Sequence, residues 1–137
     1  MIIDCHVHLL SEAGYAEKLL AEMDRSGIDR ACLLAMQNIQ FWGSRAASNE
    51  QVREAYRAHP DRFIPFGYVD LGVDPVGTID QLAMQGFRGL KVTRTRYPYN
   101  DDRLMEYYAR AAAYNLVMLF HTGTVVRVPE DHLYDVD

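Results

Sequence analysis

Cysteine is scarce in this chain: there are two in 137 residues, Cys5 and Cys32. That excludes a disulfide scaffold, and neither cysteine has the spacing of a zinc motif. Both lie in apolar, strand-like surroundings and read as buried thiols of a reducing compartment. Long apolar runs are also absent: none reaches the ~18 residues of a membrane span. No basic stretch and apolar core open the chain, so no secretory signal is expected and a cytoplasmic location is the default. Positive charge is short as well, with 14 Lys and Arg against 19 Asp and Glu and a net charge of −5. An acidic chain without a basic stripe predicts no nucleic-acid or membrane partner and leaves a small molecule as the expected one. Finally, no Gly-x-Gly-x-x-Gly or P-loop follows the first apolar run, which argues against a doubly wound nucleotide-binding sheet.

What is present is ordinary for one globular domain. Hydrophobic residues make up 49% and charged residues 24% of the chain, enough to build a core over residues 1–137. Apolar runs alternate with amphipathic stretches. The expected strands are 1–8, 30–36, 62–69, 87–92 and 116–121. The expected helices are 11–26, 46–58, 75–85 and 101–114. Ser11 is the expected cap of the first helix and Gly27 its stop; Asp101 and Asp102 suit the start of the fourth. Strands alternating with helices imply a parallel sheet with right-handed crossovers.

The expected strand ends, near His8, Met36, Val69, Val92 and His121, are spaced by about 23 to 33 residues. A (β/α)8 TIM barrel of ~250 residues has units of about 31. The expected fold is therefore α/β and the N-terminal portion of a TIM barrel, with about five parallel strands and four helices. Residues 1–137 then form a partial domain lacking the later strands. A half-barrel leaves two sheet edges and an apolar interior exposed, which predicts a homo-oligomer or another pairing partner, or poor solubility.

Chemistry concentrates at the strand ends. Along a strand, residues i and i+2 share a face, so Asp4, His6 and His8 are expected to face the barrel axis, with Cys5 and Val7 on the helix side. Two imidazoles one pleat apart can hold one divalent cation, Zn²⁺ being the usual choice and Mn²⁺ the alternative. His121 closes the fifth apolar run on the same rim and would make a third metal ligand. Asp4 lies deeper and is expected to support the pair.

Lys91 stands inside an otherwise apolar strand, which is costly unless the lysine is paired or functional. As a catalytic candidate it could contact an anionic substrate, support the metal or become a carboxylated ligand; the bland alternative is a snorkelling or ion-paired lysine. Arg94 and Arg96 follow in the next loop and could bind a substrate carboxylate through their forks. Trp42, in the loop after the second strand, could wall a substrate pocket. His59 is expected to be structural, and His132 to lie solvated in the tail.

The segment Ile2-Ile3-Asp4-Cys5-His6-Val7-His8-Leu9 resembles the opening motif of the amidohydrolase superfamily. Gly86-Phe87-Arg88-Gly89-Leu90-Lys91 and Leu116 to Gly123, with His121-Thr122-Gly123 at the end, resemble more narrowly its amidohydrolase-related, metal-dependent barrel enzymes. The resemblance covers almost the whole chain but only the first half of that family's domain. It implies that His6 and His8 are the strand-one ligands and His121 the strand-five ligand. It also implies a later histidine and a strand-eight aspartate, both beyond Asp137. The implied activity is water activation at a divalent metal to cleave an amide, ester or lactone. The alternatives are nonoxidative decarboxylation of a carboxylic acid, or an inactive half-barrel.

Overall fold

The computed structural model describes residues 1–37, 40–41 and 43–122. Its strands are β1 (Ile3–His8), β2 (Arg30–Leu34), β3 (Gln40–Phe41), β4 (Ser44–Arg45), β5 (Phe63–Tyr68), β6 (Gly89–Val92) and β7 (Val117–Phe120). Its helices are α1 (Tyr15–Ser26), α2 (Asn49–Ala58), α3 (Gly77–Met84) and α4 (Met105–Ala113), the last entered through a 3₁₀ turn at Asp102–Leu104. Five strands form one parallel sheet in the order β1-β2-β5-β6-β7. This is the expected curled half-barrel with four helices. The antiparallel ribbon β3-β4 was not expected; it lies in what reads as a plain loop after β2.

Two helix starts differ from the sequence expectation. Ser11 does not cap α1: its N–H and its hydroxyl both donate to the Arg45 carbonyl, at 2.8 and 3.1 Å. Gly14, in the left-handed region at φ 73°, turns the chain into α1 instead. A tertiary partner has taken the side chain that local sequence assigns to a cap. In the same way Ala46 bridges Leu10 and the Ala47 N–H donates to the Leu9 carbonyl at 2.8 Å, so α2 starts later. Its cap is Ser48, whose hydroxyl accepts from the Gln51 N–H at 3.3 Å while the Gln51 side chain accepts from the Ser48 N–H at 3.0 Å. Such a reciprocal pair contributes about 1 kcal/mol.

The sheet separates two apolar layers. On the convex side Ala31, Leu33, Leu90 and Val92 pack with Met23, Val52, Ile79, Leu82 and Leu104 from the helical layer. On the concave side a smaller cluster contains Cys32, Leu34 and Phe66, with Ile64 and Leu119 packed against it. Phe66 is paired in register with Gly89 of the next strand. A Cβ at Gly89 would lie 2.6 Å from Phe66 Cδ1 and closer still to the ring's far edge. The ring thus lies over the neighbouring backbone, a contact only glycine permits. Gly89→Ala is expected to destabilise the fold by about 1–3 kcal/mol through overpacking. Urea unfolding would show this as a lower midpoint at unchanged slope; an unaltered midpoint would mean that Phe66 can move aside.

Candidate metal centre

The geometry begins with a break in β1. Ile3 and Asp4 pair with Arg30 and Ala31, whereas Val7 and His8 pair with Leu33 and Leu34. Two residues, Cys5 and His6, therefore stand opposite Cys32 alone, which is a β-bulge. The Asp4 carboxylate accepts the His6 N–H at 3.0 Å and holds this turn in place. The bulge corrects the expected alternation. His6 and His8 remain on the concave side, but Cys5 no longer accompanies Val7 toward the helices. It is exposed, and it bears on Cys32, whose thiol is pushed up to about 11 by burial first and by Cys5 next.

His6 and His8 converge. Their Nε2 atoms lie 3.1 Å apart and their ring centroids 4.9 Å apart, at an interplanar angle of 63°. Two nitrogens bound tetrahedrally to one ion at 2.0–2.1 Å would themselves stand roughly 3.3 Å apart. Both imidazoles are also held neutral, as metal binding requires. Burial lowers the His8 pKa to about 4, with further contributions from His6, Lys91 and His121. Burial likewise lowers that of His6, followed by Lys91, against an opposing pull from Asp4. The donor pair thus fits a divalent ion.

His121 follows β7, at the far edge of the sheet from β1. It acts electrostatically on both histidines, which places it on the same rim. Its N–H donates to the Val92 carbonyl at 2.8 Å, and its carbonyl accepts the Tyr99 hydroxyl at 2.8 Å. Among the described residues no group of three or more His, Cys, Asp or Glu side chains stands ready to hold a metal. The arrangement is two converged imidazoles, with His121 on the same rim but not gathered with them into a three-ligand group.

Lys91 is 1% exposed, and its ammonium has no hydrogen-bond partner among the described residues. Burial lowers its pKa to about 8. The ion-paired alternative therefore does not hold among the described residues: the lysine faces the histidines as a desolvated cation. The arginines are placed differently. Arg94 and Arg96 are exposed and alternate with the buried Thr93 and Thr95. Arg94, in the left-handed region at φ 50°, lines a cleft of about 500 Å³ with Gln37, Asn49, Tyr68, Asp70, Asp74 and Thr78. The Arg96 guanidinium lies 5.8 Å from the centre of the Tyr97 ring. Trp42 and His132 lie outside the described residues.

Sequence reasoning missed the cleft carboxylates, although Asp70 and Asp74 follow a strand end at i, i+4 spacing and could have been noticed there. Burial and Asp74 both raise the Asp70 pKa. Asn49 holds the end of β5, donating to the Tyr68 carbonyl at 2.9 Å and accepting the Tyr68 N–H at 2.7 Å. No helix among the described residues is long and apolar enough to cross a membrane.

Comparison with known proteins bears on this arrangement. A family profile described as amidohydrolase matches residues 3–136. Among curated proteins none matches in sequence. Among solved structures, a probable 2-pyrone-4,6-dicarboxylic acid hydrolase from Acinetobacter baumannii is similar with a TM-score of 0.62 at 15% identity, over 89% of this chain and 49% of that one. A 5-carboxyvanillate decarboxylase from Novosphingobium aromaticivorans, with bound manganese, gives 0.61 at 22% identity, over 78% and 34%. A 2,6-dihydroxybenzoate decarboxylase from Rhizobium gives 0.65 at 16% identity, over 95% and 51%. The chain thus spans about half or less of the length of these structures, and at such identities they establish the fold alone.

Proposed function

Because the chain belongs to the amidohydrolase family, we propose that His6, His8 and His121 hold a divalent cation, Zn²⁺ or Mn²⁺, in an enzyme that hydrolyses an amide, ester or lactone. The observation that carries this reading is the 3.1 Å approach of the His6 and His8 Nε2 atoms on a bulge braced by Asp4. When bound, such an ion supplies Lewis acidity to a substrate oxygen and lowers the pKa of a coordinated water. Residues of this chain contribute around that ion. Burial keeps the imidazoles neutral, and a bound ion would take the place of the proton shared in their Nε2–Nε2 hydrogen bond. Lys91 presents a desolvated cation beside them, suited to an anionic substrate group or to negative charge that develops there. Arg94, Arg96 and Trp42 are assigned to a substrate carboxylate and its scaffold.

The second reading is nonoxidative decarboxylation at the same site. It is favoured by the fold shared with two decarboxylases and by the cations Lys91, Arg94 and Arg96 around the rim. The two readings separate in one assay. The chain loaded with Zn²⁺ or Mn²⁺ is offered carboxylate-bearing lactones, esters and amides, and in parallel hydroxybenzoates, with acid release and CO2 release followed separately. Acid release from the first group is expected. CO2 release alone would select the decarboxylase, and neither product from a metal-loaded chain would select the inactive half-barrel over both.

A further inference from the structure

We propose that Tyr99 is a positioning residue for His121, its hydroxyl setting the direction from which that imidazole approaches His6 and His8. The proposal rests on the reading of His121 as a metal ligand. Regular strand ends at Phe120, so the His121 backbone has only part of the ladder to hold it. Its N–H side is secured by the Val92 carbonyl at 2.8 Å. Its carbonyl side is secured by Tyr99, donating from the loop after β6 at 2.8 Å.

Tyr99 is itself braced twice. Its ring meets Phe120, the residue preceding His121, edge-on at a centroid distance of 5.0 Å. Its own carbonyl accepts the Tyr108 hydroxyl at 2.7 Å, and the Tyr108 ring meets Phe120 at 5.8 Å. A loop residue, a helix residue and a strand residue thus secure the two peptide units that flank the His121 Cα. Together those two units fix the Cα–Cβ direction of His121. Ligand groups must be held to about 0.5 Å and 10–20° to act together, and a small rotation of either unit displaces the far nitrogen of the ring by more than that. Tyr99 acts on the backbone, so its loss would misdirect His121 while leaving the imidazole chemically intact.

The test is Zn²⁺ affinity of the 137-residue chain, read by competition with a chromophoric chelator. Tyr99→Phe keeps the ring contacts and removes the bond; it is expected to weaken binding by about 10-fold or more, the effect of losing a partner that orients a ligand. Tyr107→Phe is the structural control: it removes a bond of 2.6 Å to the Asp74 carbonyl, in another part of the rim, and is expected to change affinity by less than about 2-fold. In a His121→Ala background Tyr99→Phe is expected to have no further effect.

Equal affinities for Tyr99→Phe and Tyr107→Phe would overturn the proposal, as would a Tyr99→Phe loss that persists without His121. If His121→Ala weakens binding and Tyr99→Phe does not, Tyr99 alone is excluded. If His6→Ala weakens binding and His121→Ala does not, the ligand reading fails and the proposal falls with it. Should Tyr99→Phe fold poorly, Tyr108→Phe, one bond further from His121, is expected to shift affinity in the same direction by less. No shift there would overturn the proposal too.

Discussion

His8→Ala is expected to strip the chain of bound zinc or manganese, weakening affinity by more than about 100-fold. Losing a residue that merely orients a ligand costs 10–100-fold, and His8 is assigned as a ligand itself. It is also the better prepared of the β1 pair. It is half-buried in register with Leu34, and burial lowers its pKa to about 4, so protons do not compete for it near neutrality. Metal content after gel filtration measures the effect, and Cys5→Ala provides the control from the same bulge. A His8→Ala protein that keeps wild-type metal content would remove the basis for the proposed function. The same measurement should show the wild type gaining thermal stability with added metal while the variant does not, since a ligand bound only by the folded state stabilises it by mass action.

Lys91→Met is expected to stabilise the fold at pH 7 by up to about 3 kcal/mol, while abolishing any turnover that depends on the cation. The ammonium is 1% exposed without a hydrogen-bond partner among the described residues, and burial lowers its pKa from 10.5 to about 8. Between those values the unfolded chain keeps a proton that the folded chain has released. Stability should therefore rise as pH climbs from about 8 to 10.5, with the full cost of the buried charge present below about 8. Methionine fills a similar volume with no charge to desolvate, so the variant should be more stable at neutral pH and lose this pH dependence. Denaturant midpoints at several pH values decide it. A variant less stable than wild type at pH 7 would mean that Lys91 has a partner holding its charge. Gain in stability with loss of activity is the pattern expected of a residue retained for function.

Much of this arrangement is legible in residue order alone. Apolar runs ending in His8, Lys91 and His121 indicate strands whose carboxyl ends share one rim, because parallel strands joined by helices all point one way. The less legible features depend on contacts distant in sequence. Ser11 reads as a cap, yet Arg45 recruits it across the β3-β4 region. Cys5 reads as a helix-facing residue by strict alternation, but the Asp4 carboxylate bends the strand at His6 and brings Cys5 opposite Cys32. Arg94 and Arg96 read as carboxylate-binding loop arginines, but sequence does not show that Arg94 lines the cleft of Asp70 and Asp74 while Arg96 lies against Tyr97.

By itself the sequence determined the class of fold, the order of its elements and the residue types at the rim. These depend on local periodicity and on the short-range chemistry of histidine, lysine and glycine. The tertiary structure alone decided how His6 and His8 meet. The bulge that keeps both on one side arises from a carboxylate-to-backbone bond and from pairing with β2, 27 residues away in sequence at Asp4 and Ala31. It also decided that Lys91 has its charge buried and that Tyr99 holds the peptide of His121. Burial and hydrogen-bond partners are properties of the packed chain, and no periodicity in the sequence encodes them.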